Sequence, residues 1–247
     1  MSRDGAWGVT SGTPFVRVWL PLTLLVLVLA LSPSAAAQTD QFLPEVDAYY
    51  KLTSPVRIWL QAKETSEAGT PVTAEFGPSL DFYIKSPLRL ADVTSFDLDD
   101  SKSRALVLSV GYRYLPTPGS PPTNRLEPLF TLNYPVPRIG LLLSDRNRAD
   151  LDWKIGTFTW RYRNRVQLER TVKVRSYHLS PYASAEFYYE SLYGKWSDTA
   201  IYAGCLFPIG KHFELNPYYE HQNNTGPSPN QQLNQAGLML NMFFSRR

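Results

Sequence analysis

The feature that most limits how this chain can fold is a long two-residue alternation. In residues 157–171, TFTWRYRNRVQLERT, the even positions are mainly apolar or aromatic and the odd positions are mainly polar. Three of the odd positions are arginines, Arg161, Arg163 and Arg165. Successive side chains of a β-strand point to opposite faces of the sheet. The segment is therefore expected to be a strand with one apolar face and one face that carries arginine.

The same alternation recurs in at least four other segments. Residues 56–63, 73–85, 104–115 and 212–221 each place an apolar row on one face and smaller or more polar residues on the other. A soluble β-sandwich and a membrane-spanning β-barrel both produce this pattern, because strands in each have one apolar and one polar surface. The alternation therefore predicts an all-β fold without choosing between the two.

Three features favour a single antiparallel transmembrane β-barrel. The segments are about 10–15 residues long, whereas strands of globular sheets are usually about 5–6 and a membrane crossing needs about 9–11. Aromatic residues fall near segment ends, as at Tyr112 and Tyr114, which suits membrane interfaces. The segment AGLMLNMFFSRR ends its apolar face on Leu240, Met242 and Phe244, which resembles the C-terminal signal for outer-membrane insertion.

Residues 1–37 have the composition of a cleavable signal peptide. Two arginines precede an apolar run at 18–31, and a small-residue A-x-A site ends at Ala37. The run of about 14 residues is shorter than the roughly 20 that a transmembrane helix needs. We therefore expect cleavage after Ala37 and one barrel domain at 38–247, located in the outer membrane of a Gram-negative bacterium.

The composition excludes several other kinds of protein. Cys205 is the only cysteine, so the chain has no intramolecular disulfide and no cysteine-based metal site. The formal net charge of +3 is too small to indicate a nucleic-acid partner. We predict no metal and no cofactor.

We predict twelve strands, with ten as the alternative. The weakest of the twelve lies at 88–97, and it is retained because single-chain bacterial barrels have an even number of strands. The segments PTPGSPPTN and QNNTGPSPNQQ are predicted as long loops on the outer side. The shorter connections PVPR and PIGK are predicted on the periplasmic side.

Several segments carry a family resemblance. They are LSDRNRADLDW, WRYRNRVQLER, GYRYLPTP, SPYASAEFYY and FPIGKHFELNPYY, and together they extend over most of the predicted mature chain. They resemble a bacterial outer-membrane family catalogued as domain of unknown function 2490. The resemblance implies a β-barrel in the outer membrane and supplies no catalytic residues, so function has to be inferred from the side chains.

Charged side chains are expected to form two opposed walls of the barrel interior. The predicted basic wall consists of Arg161, Arg163 and Arg165, joined near the outer turn by Arg146 and Arg148. The predicted acidic wall consists of Glu45, Asp47, Glu75, Asp81, Glu214 and Glu220. A row of guanidinium groups suits carboxylate, sulfate or phosphate, and charged linings set the selectivity of pores.

These walls predict a small channel for polar or anionic solutes. The alternative is a closed structural barrel, in which Glu186 and Glu190 on the next strand form salt bridges with the arginines. Outer-membrane lipid is expected around the barrel. The barrel-assembly machinery and periplasmic chaperones are the expected partners during biogenesis.

A second alternative is a lipid-modifying outer-membrane hydrolase. His178 and Ser180 are two residues apart and share a strand face, a spacing that faintly resembles the His-x-Ser pair of lipid A deacylases. The predicted topology places His178 at the periplasmic end, away from the lipid A of the outer leaflet. We therefore expect no enzymatic activity.

Overall fold

The chain is almost entirely β-structure in a computed structural model that describes residues 38–67, 70–84, 98–136, 138–227 and 230–245. The strands of these ranges are β1 (Gln38–Lys51), β2 (Val56–Glu67), β3 (Thr70–Ile84), β4 (Leu106–Thr117), β5 (Ser120–Val136), β6 (Leu141–Lys154), β7 (Thr157–Glu169), β8 (Val172–Val174), β9 (Tyr177–Glu190), β10 (Lys195–Ile209), β11 (Phe213–Asn224) and β12 (Gln231–Ser245). A 3-10 helix, Asp100–Ser103, lies between β3 and β4. The same ranges contain no helix that is both long and apolar enough to cross a membrane. The predicted signal peptide at 1–37 and the predicted strand at 88–97 lie outside the described residues.

Eleven strands close into a barrel. From β1 to β7, and again from β9 to β12, each strand pairs antiparallel with the next one along the chain, and β7 pairs with β9. The ring closes between β1 and β12, which run parallel from Gln38 opposite Gln232 to Lys51 opposite Ser245. The short β8 pairs with the first residues of β9. The prediction of an all-β barrel is confirmed.

The described residues contain twelve strands, the number predicted, but one of them lies outside the ring. In the ring, β3 and β4 pair directly, with Ser79 opposite Gly111. The twelfth strand is β8, and the ring itself has eleven. The even number expected of the ring therefore does not hold. An odd ring is possible because its closing pair is parallel, and parallel and antiparallel ladders both satisfy the backbone hydrogen-bonding groups.

The two faces of the strands differ in polarity as the alternation predicts. On β7, Trp160 and Val166 are 40% and 38% exposed on the outside, while Arg161, Arg163 and Arg165 line the interior. Most buried side chains of the described strands are polar or charged, and many large apolar side chains are exposed. This inverted polarity is typical of transmembrane barrels.

A glycine leaves room inside the barrel for a fully buried arginine. Arg113 on β4 is 0% exposed. Its Nη1 donates to the carbonyl oxygen of Pro78 at 2.9 Å and its Nη2 to Ser79 Oγ at 2.8 Å. A β-carbon at Gly111 would lie 2.5 Å from Ser79 Oγ and 3.1 Å from Arg113 Nη1. The guanidinium group can therefore contact β3 because position 111 has no side chain.

The end of the barrel at which β4 turns into β5 and β6 into β7 is called the turn end. The β4–β5 connection consists only of residues 118 and 119, with Gly119 at a φ of 71°. Pairing of these strands continues to Thr117 opposite Ser120. The segment PTPGSPPTN is therefore mostly strand, and its prediction as a long loop is wrong. A two-residue turn is possible because glycine adopts positive φ without steric cost.

Residues 98–104, called the strap below, cross the opposite end, which is called the strap end. Asp99 caps the 3-10 helix, and its side chain accepts a hydrogen bond from the backbone N–H of Ser101. The strap contacts five strands of the ring, through Lys51 of β1, Arg57 of β2, Tyr83 of β3, Asn133 of β5 and Glu169 of β7. Because β7 lies across the ring from β1 and β2, the strap crosses the mouth of the barrel.

Candidate functional site

The barrel interior contains a polar cavity of about 400 Å³. The structure places all five residues of the predicted basic wall around it: Arg146, Arg148, Arg161, Arg163 and Arg165. Five of the six predicted acidic residues also line it: Glu45, Asp47, Glu75, Glu214 and Glu220. The sixth, Asp81, lines an adjoining cavity of about 200 Å³ beside the strap.

Arg146 and Arg148 lie in the middle of β6, not near the outer turn as predicted. The strand continues to Lys154 before it turns, because the inward alternation is carried on by further polar residues. Arg146 is opposite Arg165 and Arg148 is opposite Arg163 on β7. The basic residues therefore form a patch that is two strands wide.

Each arginine of the β7 row forms a salt bridge. Arg161 Nη2 lies 2.8 Å from Asp150 Oδ2. Arg163 Nε lies 2.8 Å from Glu186 Oε1, and Arg165 Nη2 lies 2.6 Å from Glu186 Oε2. Asp150 and Glu186 are 0% and 4% exposed. The row is therefore a salt-bridged surface and not a series of free guanidinium groups.

Glu186 also binds two tyrosines of β9 and β10. The hydroxyl groups of Tyr188 and Tyr202 donate to its Oε2 at 2.9 and 2.8 Å. The guanidinium carbon of Arg163 lies 4.7 Å from the centre of the Tyr188 ring, and that of Arg165 lies 4.1 Å from the centre of the Tyr202 ring. Charge-assisted hydrogen bonds and cation–π contacts thus hold the same two arginines.

Salt bridges continue from β6 to β5. Arg148 Nε lies 2.7 Å from Asp150 Oδ1, and its Nη1 lies 3.5 Å from Glu127 Oε1. Arg125 Nε on β5 donates to Asp152 Oδ1 on β6 at 2.6 Å. Positive and negative side chains therefore alternate across β5, β6, β7 and β9.

The interior is not divided into one basic and one acidic wall. Glu75 Oε2 lies 3.4 Å from Arg125 Nη1, and Asp81 Oδ2 lies 2.7 Å from Arg57 Nη2. Opposite charges become neighbours because a charge that is removed from water needs a partner close by. The remaining predicted acidic residues lie on β1 and β11, as Glu45, Asp47, Glu214 and Glu220.

Four interior residues that carry much of this pairing were not predicted from the sequence: Arg113, Arg125, Glu127 and Asp150. The alternation contains a signal for them, since Asp150 has the same parity as Arg148 on β6 and Arg113 lies on the interior face of β4. Their partners are set by strand register. Register depends on which residues of separate segments lie opposite one another, and a single segment does not contain that information.

Arg146 and Asp47 are two of the interior charges whose pairing is incomplete. Within the described ranges, Arg146 forms no salt bridge and no side-chain hydrogen bond, although it lines both cavities. Asp47 accepts a hydrogen bond from the Tyr49 hydroxyl at 3.0 Å through Oδ2. Its Oδ1 is buried without a hydrogen-bond partner in the same part of the chain.

Charged groups hold the strap in place. Arg57 Nη1 donates to Asp99 Oδ1 at 2.6 Å, and Lys102 Nζ donates to the two carboxylate oxygens of Glu169 at 2.9 and 2.8 Å. Burial alone raises the pKa of Asp99, but the nearby charges of Arg57 and Lys102 outweigh burial and lower that pKa below its ordinary value. Asp99 is therefore ionised at neutral pH, which favours attachment of the strap.

The predicted hydrolase pair lies at the strap end of β9. His178 is opposite Lys173 of β8. The hydroxyl oxygen of the buried Ser180 lies 2.9 Å from that of Thr171, which is not a base that can activate it. In the ranges that the structure covers, no group of three or more His, Cys, Asp or Glu residues is placed to hold a metal ion.

The residues of the predicted insertion signal lie on the outer face of β12. Leu240, Met242 and Phe244 alternate with Asn241, which is buried in the interior. The Phe244 ring stacks on that of His212 at a centroid distance of 5.8 Å. This arrangement gives β12 an apolar outer face that ends in an aromatic residue.

The strap and the strands that follow it match a known protein family. The model of a family described as a protein of unknown function (DUF2490) matches residues 98–233, more than half of the chain. The chain belongs to this family. The DUF2490 match begins at the strap and extends into β12, so it includes the salt-bridged strands β5, β6, β7 and β9. No curated protein matches the chain significantly.

Proposed function

We propose that this DUF2490 protein is an outer-membrane β-barrel of a Gram-negative bacterium whose interior is closed at rest by salt bridges and by the strap. The pairing of Arg161, Arg163 and Arg165 with buried carboxylates carries this proposal, since it leaves these guanidinium groups without a free charge for a passing solute. In this state the protein is a closed structural barrel and not an open pore.

The outer surface supports the membrane location. The ring strands are 12 to 17 residues long, while a tilted strand needs about 9–11 to cross a bilayer. Every ring strand has at least one exposed large apolar side chain, for example Phe130 and Leu132 on β5 and Leu238 on β12, and a large exposed apolar surface marks contact with lipid or protein. Outer-membrane lipid is the proposed surrounding, with the barrel-assembly machinery and periplasmic chaperones as partners during biogenesis.

The strap supports closure at one mouth. Lys102 binds Glu169 on β7, while Asp99 binds Arg57 on β2, on a distant part of the ring. Breaking a buried ion pair by removing one partner costs about 3–5 kcal/mol. A solute that enters from this end would have to displace such contacts, so passage requires movement of the strap.

A small channel for polar or anionic solutes is the second candidate function. It is favoured by the extent of the larger cavity, whose lining runs from Thr65 and Gln222 near the turn end to Lys102 in the strap. In this case the same barrel would conduct after the strap moves away. Neither candidate function includes catalysis, and we propose that the protein has no enzymatic activity.

The location is tested by cell fractionation and by gel migration with and without heating. The protein should be recovered with outer membranes, and the unheated sample should migrate differently from the heated one because the barrel resists unfolding. Recovery as a water-soluble periplasmic protein would contradict the location.

Closure is tested by efflux of a small anion from vesicles that contain the refolded protein. The proposal predicts efflux no faster than from empty vesicles.

A further inference from the structure

Arg146 is the one interior arginine of β6 and β7 without an ionic partner in the described part of the chain. Arg148, Arg161, Arg163 and Arg165 each lie within 4.0 Å of a carboxylate. The two-residue alternation predicts all five arginines on the interior face. Arg146 therefore lacks a carboxylate partner because of its surroundings in the folded barrel. An arginine carries a charge at any physiological pH, and a charge in a confined interior without a partner is unfavourable.

The neighbours of Arg146 are positively charged but already paired. Arg165 lies opposite it on β7 and is bound to Glu186. Arg148, two residues further along β6, is bound to Asp150. These two arginines cannot supply a counter-charge to Arg146, because they are positively charged themselves. The position is therefore suited to an anion from outside the chain, held by the planar guanidinium fork.

A second unsatisfied group lines the same cavity. Asp47 of β1 is 3% exposed, and its Oδ1 has no hydrogen-bond donor among the described residues. In the ring, β1 lies far from β6, so Asp47 and Arg146 approach the cavity from different sides. A carboxylate accepts hydrogen bonds from hydroxyl or ammonium groups. The cavity therefore presents a site for an anion on one side and a site for a hydrogen-bond donor on another.

The cavity volume limits the size of the occupant. At roughly 30 Å³ for each water molecule in the liquid, about 400 Å³ corresponds to about a dozen waters. This is the room that a single monosaccharide or amino acid needs, and it is within the roughly 300–1,000 Å³ of small-molecule sites.

We propose that the interior contains a binding site for a small organic acid that also carries hydroxyl or ammonium groups, such as a sugar acid. Its carboxylate binds Arg146, and its donor groups bind Asp47. The site goes beyond the closed-barrel function and does not depend on conduction, because binding inside a barrel and passage through it are separate measurements. Absence of binding would not contradict the closed barrel, and conduction would not contradict the binding site.

Isothermal titration calorimetry with the full refolded chain in detergent tests the site. D-Galacturonate is the probe, since it has both a carboxylate and hydroxyl groups. Acetate retains only the carboxylate, and D-galactose retains only the hydroxyl groups. Galacturonate is expected to bind at least about tenfold more tightly than either, because it alone engages both ends of the site. Equal affinity for acetate and galacturonate would overturn the two-ended site.

Variants assign the binding to the two residues. Arg146→Gln and Asp47→Asn should each weaken galacturonate binding by about tenfold or more, as expected for loss of one charge-assisted hydrogen bond. Lys211→Gln removes one positive charge from an exposed turn outside the cavity and should leave the affinity unchanged. Heat-modifiable migration of each variant checks that it is folded. Absence of binding to the wild-type protein at millimolar galacturonate, or binding that Arg146→Gln leaves unchanged, would overturn the proposal.

Discussion

Arg163 and Glu186 lie on the adjacent strands β7 and β9, and Arg163 Nε donates to Glu186 Oε1 at 2.8 Å. The second oxygen of the same carboxylate accepts two hydrogen bonds from Arg165, at 3.0 and 2.6 Å. One acidic side chain therefore binds two arginines. Arg163 and Arg165 of the alternating arginine row therefore help to stabilise the barrel.

Glu186→Gln should destabilise the barrel strongly. The substitution keeps the shape of the side chain but leaves Arg163 and Arg165 buried without their carboxylate, and loss of a buried partner costs about 3–5 kcal/mol. Glu190→Gln is the matched control, because Glu190 lies 3.9 Å from Arg161, a longer distance than either contact of Glu186, and its loss should cost less. Urea unfolding in lipid vesicles measures both. Equal losses for the two variants would contradict the central role of Glu186.

Val166→Arg should impair membrane assembly. Val166 lies on the outer face of β7, three residues before the strand ends, and arginine on the lipid side costs up to about 2–4 kcal/mol, the value at the midplane. Val166→Leu keeps the apolar character and should assemble normally. The measurement is the fraction of each variant that becomes heat-modifiable in the outer membrane. Normal assembly of Val166→Arg would show that this face does not meet lipid.

The faces of the strands could be predicted from sequence, because alternation is a local property of each segment. Residues 157–171 alone place Arg161, Arg163 and Arg165 on one side and Trp160 and Val166 on the other. The strand count was less predictable, since ring closure through the parallel pair of β1 and β12 is a property of two distant segments. The even number of strands expected of the ring was wrong for this reason.

The site was predictable only in part. All five predicted arginines and five of the six predicted acidic residues line the larger cavity. Their pairing was not predictable, because Glu186 meets Arg165 through the register of β7 and β9. The lack of a salt bridge at Arg146 was not predictable either, because it also depends on strand register. In the sequence, Arg146 and Arg148 have the same parity and similar neighbours.

Arg146→Gln should leave the stability of the barrel unchanged or increase it. The substitution removes a charge that has no ionic partner among the described residues, so it releases an unfavourable interaction. Arg163→Gln should instead destabilise the barrel, since it breaks the pair with Glu186. The free energy of unfolding in urea is the quantity to compare. A loss at Arg146 as large as the loss at Arg163 would show that Arg146 has a structural partner.

Acid should loosen the strap. The pKa of Asp99 is lowered in the folded protein, so its pair with Arg57 contributes stability above the unfolded pKa of about 3.9. That contribution is lost as the pH falls through the lower folded pKa. Hydrogen exchange of the strap amides, corrected for intrinsic rates, should therefore show protection at pH values above the ordinary aspartate range and loss of protection well below it. Loss of protection near neutral pH would contradict this assignment.

Single-channel recording in a planar bilayer tests closure of the barrel most directly. Three proteins are compared: the wild type, a variant that releases the strap by Asp99→Asn with Lys102→Ala, and the control Lys154→Gln at the turn end. The wild type and the control should show no stable conductance, because the strap and the interior salt bridges block the path. The strap variant should show openings. Steady conductance of the wild type, equal to that of the strap variant, would contradict a barrel that is closed at rest.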